Sequence, residues 1–302
     1  MPMIITCNQK GGVAKTTTVL GVALSLTEMG YKVLVLDFDP QCTATATLGP
    51  DVRYGRDIPS LYHVLHKKMH LRDVIQKTPF CDIAPASHMM YNWKIPEGIT
   101  KEEYIEHQAD EEWLLKTLHH RFSEYGHQEL MDEYMGILSS EIDTVIPEYD
   151  YILVDTNPNL NDLMMLTMYA AAKHGYCIIP AFPEESSRKS IVGLYETILG
   201  MNIGMANQLK IAGILITQDT KRTNLSKRYE RYLRHLAKKM GTVVFETKIR
   251  QSISAREYME HGTPLLDYDP KGATSEDYRA FTRELIERIG KMEKGYGEKT
   301  NC

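Results

Sequence analysis

A chain of 302 residues with 43% hydrophobic and 25% charged residues has the make-up of a soluble globular protein, long enough for one large α/β domain or two small ones with an ample core. No apolar run reaches membrane-spanning length, the start "MPMIITCN" lacks the pattern of a secretory signal, and the five cysteines (Cys7, Cys42, Cys81, Cys177, Cys302) form no CxxC pair. These features speak against membrane spans, zinc ribbons and disulfide frameworks, and a cytoplasmic, reducing setting is expected. The formal charge of −5 hides an asymmetry: residues 93–146 carry 13 acidic and 4 basic side chains, residues 219–256 carry 11 basic and 3 acidic, which predicts two surfaces with different partners.

In chain order, "MIITCN", "KVLVLDFD", "CDIAPA", "YILVDTN", "GYCIIPA", "IAGILIT" and "TVVFET" are short runs rich in Ile, Val and Leu without alternation, as strands covered on both faces read. Helical segments intervene. The expected fold is therefore α/β, a mostly parallel twisted sheet flanked by helices on both faces and joined by right-handed crossovers. Cys7 and Cys177, inside two of these strands, are expected to be buried thiols. Residues 93–146 break the rhythm with two amphipathic segments, "KEEYIEHQADEEWLLKTLHHRF" and "HQELMDEYMGILSSEIDTVI", separated by Gly126. They predict an inserted helical hairpin or a protein-binding surface; His107, His119, His120 and His127 within it match no metal template. The polar end "KGYGEKTNC" is expected to be disordered over residues 295–302, leaving 1–294 as one domain.

Between the first strand and the helix "KTTTVLGVALSLTEMG" lies the glycine-rich turn of "NQKGGVAKTTT". Such a turn presents backbone N–H groups and the positive end of a helix to an anion. Lys10, Gly11, Gly12, Val13, Ala14, Lys15, Thr16 and Thr17 are the candidate phosphate cradle. Lys15 is placed to reach β- and γ-phosphates and the Thr16 hydroxyl to bind Mg²⁺. The second strand ends on Asp37 and Asp39, and a later one on Asp155. Ligands of open α/β sheets bind at such carboxyl ends. A carboxylate there holds the hydration shell of Mg²⁺, orients an attacking water, or merely caps a loop.

The segments "KGGVAKTT", "VLVLDFDPQ" and "YDYILVDTNP" resemble the deviant Walker A, A′ and B motifs of the ParA/MinD class of P-loop ATPases, and most of all the ParA-type (Soj-like) partition ATPases. "ITQDTKRTNL" and "IRQSISAREYMEHGTPLLDYDP" agree with it, so the likeness spans most of residues 1–87 and 149–285 and leaves the acidic insertion unmatched. The resemblance implies ATP and Mg²⁺ as ligands, an ATP-dependent homodimer, slow hydrolysis without a partner, non-specific binding to double-stranded DNA on the nucleoid, and a ParB-like centromere-binding protein as partner. It implies catalytic roles for Lys10, Lys15 and Asp39. Lys10 crosses the dimer interface to the phosphates of the other subunit, Asp39 positions the hydrolytic water, and Asp155 stands near Mg²⁺, so Thr16, Asp39 and Asp155 form the metal set, the carboxylates through water. Ala14 stands where the family has glycine; were φ positive there, its Cβ would cost about 1–2 kcal/mol. Asn157 stands where many relatives have proline.

"TNLSKRYERYLRHLAKKM" reads as a helix with an apolar face of Leu225, Tyr229, Leu233, Leu236 and Met240. Lys227, Arg231, Arg234 and Lys238 line another face, a stripe able to follow phosphates without reading bases or simply a solvated surface. With Arg222 and Arg250 they make the candidate DNA-binding set, and Arg256 is a possible extension. No segment before the first strand is long enough for a helix-turn-helix unit, so operator-specific repression is not expected. Three other readings remain at this point. A MinD-like membrane ATPase requires a terminal amphipathic membrane helix, whereas Tyr278, Phe281, Leu285, Ile289 and Met292 suit core packing. A nitrogenase-iron-protein relative requires cluster cysteines. A pseudo-ATPase requires that Ala14 disable the loop.

Overall fold

The non-alternating runs become strands buried on both faces. The computed structural model describes residues 2–49, 58–93, 126–159, 161–203, 208–220 and 224–297. Its strands are β1 (Met3–Thr6), β2 (Val33–Phe38), β3 (Asp82–Ala84), β4 (Tyr151–Thr156), β5 (Gly175–Ala181) and β6 (Lys210–Ile216). They form one sheet of order β3-β2-β4-β1-β5-β6 with every neighbouring pair parallel. From β1 the chain skips one place to β2 and β3, returns to fill that place with β4, and then crosses to β5 and β6. The carboxyl ends of β2, β4 and β1 therefore lie side by side at one end of the sheet near the switch in strand order.

Alternate residues of each strand feed two cores. On one face Ile4, Val33, Val35 and Leu153 pack with Leu20 of α1 (Lys15–Glu28), and with Tyr278 and Phe281 of the terminal helix. On the other, Ile5, Leu34, Leu36, Ile152 and Val154 pack with Ile142, Leu166, Ile191 and Leu233. In chain order the other helices are α2 (Thr43–Leu48), α3 (Leu61–Leu65), α4 (Leu71–Val74), α5 (Gly126–Val145), α6 (Asp162–His174), α7 (Glu185–Ile203), α8 (Asn224–Lys239), α9 (Ser254–Glu257), α10 (Leu265–Tyr268) and α11 (Ala273–Gly297). Cys7 and Cys177 are fully buried, as expected.

The seventh run, "TVVFET", makes a single parallel bridge, Val244 to Ile214, rather than a strand. Phe245 lies over Gly213, where a Cβ would approach the ring to 2.5 Å, and meets Phe281 edge-on at 4.9 Å between centroids. The aromatic ring fills the space a side chain of β6 would otherwise take. The second amphipathic segment of the acidic insertion is α5, which buries Met135, Leu138, Ile142 and Val145; the first lies outside the described residues. α11 buries Tyr278, Phe281, Leu285 and Ile289, so its apolar stripe is core. Among the described residues no helix is long and apolar enough to cross a membrane.

Candidate functional site

The turn after β1 is sewn to its surroundings before it reaches α1. Cys7 N donates to Ile178 O at 3.0 Å. The Asn8 amide donates to Pro180 O at 2.7 Å, and its Oδ1 accepts from Lys10 N at 2.9 Å. From the end of β6, Thr217 Oγ1 donates to Val13 O at 3.1 Å and Gln218 Nε2 to Gly12 O at 2.6 Å. A loop whose carbonyls are held from one side offers its N–H groups on the other, the arrangement an anion needs. Neither Thr217 nor Gln218 stood out in the sequence as part of the loop, since they lie some 200 residues away.

Gly12 and Ala14 both have positive φ, +74° and +64°. The expectation that Ala14 is strained if φ is positive thus meets its condition. Alanine in the left-handed region costs about 1–2 kcal/mol relative to a helical φ, and glycine does not carry that cost. Ala14→Gly should raise the unfolding free energy by about 1 kcal/mol, read in a denaturant titration. ATP affinity should change less than about twofold, because strain present in both free and bound loops cancels in the binding equilibrium. A large gain in affinity without a gain in stability would contradict this account.

Lys15 is 7% exposed, at the first position of α1. Burial lowers its pKa, against which Asp155, Asp39 and Cys7 act. Asp155 pairs in register with Thr6 and with Asp37. Burial pushes its carboxyl well up, Asp37 adds to this, and the neighbouring Thr16 hydroxyl and Lys15 oppose it. Neither oxygen of Asp155 closes a hydrogen bond of ordinary geometry. Asp37 differs: it accepts from Thr45 N at 2.8 Å, Thr45 Oγ1 at 2.6 Å and Asp39 N at 3.0 Å, and burial pushes its carboxyl up to about 6. Asp37 therefore shapes the turn between β2 and α2, while Asp155 is a buried carboxylate that closes no hydrogen bond of ordinary geometry.

That orphaned carboxylate, beside a threonine hydroxyl at the first turn of α1, fits a hydrated Mg²⁺. Among the described residues no cluster of three His, Cys, Asp or Glu side chains could hold a metal by itself. A cation here would depend on phosphate oxygens, the usual habit of Mg²⁺. Asp39 is half-buried and accepts from Gln41 N at 2.9 Å.

Beside the loop opens a cleft of about 250 Å³, between Gly12, Ala14 and Thr17 on one side and Ser252, Arg256 and Met259 on the other. Its place suits a nucleoside whose phosphates rest on the loop. The first turn of α1 is anchored beneath it: Tyr258 Oη donates to Thr17 Oγ1 at 3.1 Å, and Tyr278 Oη lies 3.5 Å from Thr18 Oγ1. Both tyrosines are fully buried. Arg256, a possible extension of the basic set, lines this cleft.

Lys10 is turned toward its own chain. Its ammonium forms an ion pair with Glu184 and lies 5.8 Å from the centroid of the Phe182 ring. Among the predicted basic residues, Arg234 bonds Glu230 and Glu246, and Arg250 bonds Asp277 and Ala273 O. Lys227, Arg231 and Lys238 are exposed on α8, joined on the same face by Arg228 and Lys239. The helix buries Leu233, Leu236 and Met240 opposite them. Arg222 lies outside the described residues.

A profile of the AAA domain family matches residues 1–119 and 95–211. The chain is 29% identical over 289 residues to the chromosome-partitioning ATPase Soj of Treponema pallidum, covering 95% of this chain and 98% of that protein. Among solved structures, an ATP complex of McdA from Cyanothece superposes with a TM-score of 0.71 at 17% identity over 96% of both chains. A plasmid partition protein of Borrelia burgdorferi bound to AMPPNP gives 0.68 at 19% identity, over 96% of this chain and 99% of that one. Sequence, sheet order and loop geometry converge: the chain belongs to the ParA/MinD class of P-loop ATPases and is ParA-like.

Proposed function

We propose that this chain is an ATP-switched partition ATPase that dimerises on Mg²⁺-ATP, binds double-stranded DNA without sequence preference, and moves a plasmid, mobile element or chromosome over the nucleoid with a ParB-like partner. The observation that carries the ATPase half is the meeting of Lys15, Thr16, Asp39 and Asp155 at one sheet edge, with Asp155 orphaned and buried. The phosphates rest on the loop N–H groups from Gly11 to Thr17, and Lys15 neutralises charge that builds on the transferred phosphoryl group. Thr16 directly and Asp155 through water would hold Mg²⁺, which would supply positive charge at the phosphates. Asp39 orients the attacking water. Hydrolysis by the chain alone is slow, and the partner protein accelerates it.

The dimer half rests on Lys10. Its ammonium is not directed into its own loop but paired with Glu184, and burial already lowers its pKa. In the dimer Lys10 exchanges that carboxylate for the phosphates bound by the other subunit. Lys10→Ala should bind ATP yet sediment as a monomer; a normal ATP-dependent dimer would remove the cross-subunit role.

The DNA half rests on α8. Lys227, Arg231 and Lys238 form an exposed cationic face to which Arg228 and Lys239 add. Arg234 and Arg250, held by carboxylates, contribute less than the sequence pattern implies, while Arg222 remains a candidate. One such face binds phosphates weakly and with strong salt dependence. Two faces on one duplex gain about a hundredfold or more in avidity where the geometry permits. DNA binding measured by fluorescence anisotropy should therefore rise with ATP, fall steeply with salt, and drop at least about tenfold in the Lys227→Ala, Arg231→Ala double variant. Equal affinity with and without ATP, or preference for one operator, would refute the switch.

A further inference from the structure

Five buried side-chain oxygens among the described residues lack a hydrogen-bond partner, and three of them belong to one strand end: both carboxylate oxygens of Asp155 and Oδ1 of Asn157. Asn157 is 5% exposed. Its amide is oriented by its neighbours. Nδ2 donates to Asn161 Oδ1 at 3.3 Å, and the same oxygen accepts from Met164 N at 3.2 Å as the cap of α6. Turning the amide over would set oxygen against an oxygen that is already an acceptor, so the carbonyl is the end that lacks a partner.

Where that carbonyl lies follows from the backbone. Pro158 keeps the residue before it extended, so the alternation of β4 continues one step past its end. Asp155 and Asn157 leave the chain on the same side, whereas Thr156 between them turns away and donates to Thr6 O at 2.6 Å. Two buried acceptors in a row at the carboxyl edge require O–H donors facing them, which ordered water around a divalent cation supplies. An amide suits the second place better than a carboxylate would. It accepts a hydrogen bond without adding a fourth negative charge to Asp37, Asp39 and Asp155.

We propose that Asn157 is a positioning residue whose Oδ1 accepts a hydrogen bond from a water of the Mg²⁺ hydration shell beside Asp155, an inference that rests on the nucleotide reading above. The test is calorimetric binding of ADP to the full chain over a series of Mg²⁺ concentrations, with turnover as a second readout. Asn157→Leu keeps the volume and removes the acceptor. It should bind metal-free ADP like the unaltered chain but need about tenfold more Mg²⁺ for tight binding, the loss of one hydrogen bond. Asn157→Asp retains an acceptor, and its added charge, unfavourable in the metal-free site, is offset once the cation binds, so it should need no more Mg²⁺ than the unaltered chain. Asn157→Ala repeats the measurement should leucine prevent folding. Unaltered Mg²⁺ dependence in the variant that folds, or equal impairment of the leucine and aspartate variants, would overturn the inference and leave the nucleotide reading standing. An unaltered chain that binds no ADP would sink both.

Discussion

Lys15→Ala should abolish ATP-dependent stabilisation while leaving a folded chain. In the unaltered protein, Mg²⁺-ATP at a hundred times its dissociation constant should add about 2.7 kcal/mol to the unfolding free energy. Lys15 is buried, so its contacts to phosphate are little screened, and hydrogen bonds to charged groups each contribute about 1.5–3 kcal/mol. Losing two such contacts weakens binding by about a hundredfold or more, which at the same ATP concentration reduces the gain to about 0.4 kcal/mol or less. Persistence of the fold follows from the site's electrostatics. Burial raises the pKa of Asp155 and Lys15 opposes this, so removing the cation raises it further and lets the carboxyl take up a proton rather than strand a buried charge. Thermal unfolding with and without Mg²⁺-ATP, paired with calorimetry, reads both quantities. An ATP affinity unchanged in Lys15→Ala would mean the nucleotide sits elsewhere.

The architecture was legible because fully covered strands leave a distinctive trace. "VLVLDF" and "YILVDT" are buried along their whole length, and a run without alternation reports burial on both faces. The phosphate loop was legible because its residues are contiguous. Two kinds of information were not. "TVVFET" has strand composition, yet it makes one bridge and seats Phe245 over Gly213, a contact between distant segments that no local pattern announces. The division of labour among charges was hidden for the same reason. Arg234 and Lys227 look alike in a helical wheel, yet Arg234 faces Glu246 and Lys227 faces outward. Thr217, Gln218, Tyr258 and Tyr278 buttress the loop and α1 from the carboxyl half of the chain. Side chains that act through another residue carry no local pattern. Ala14 lies between these cases: the sequence posed the question of its φ, and the coordinates answer it at +64°.

Asp39→Ala should separate binding from hydrolysis. The two carboxylates of the proposed metal set occupy unlike surroundings, and this divides the roles proposed for them. Asp155 is fully buried and neither oxygen closes a hydrogen bond of ordinary geometry, which suits the proposed contact to a cation's water shell. Asp39 is half-buried, with its backbone N–H tied to Asp37 Oδ1 and its own Oδ1 accepting from Gln41 N. It is thus held in a fixed turn within electrostatic reach of Lys15, with carboxylate capacity left to accept from a water. Orienting and activating a nucleophilic water contributes about 10²–10⁴-fold to rate, and none of that acts on ground-state binding. Asp39→Ala should therefore bind Mg²⁺-ATP within about threefold of the unaltered affinity and still form the ATP-dependent dimer, with turnover falling by at least about a hundredfold. Because nothing then returns the switch, the variant should accumulate as the DNA-bound dimer under conditions where the unaltered chain cycles off. Single-turnover hydrolysis and sedimentation on the same sample test both halves. If turnover survives, the water is oriented by another group; if the dimer is lost with it, Asp39 serves the interface rather than the water.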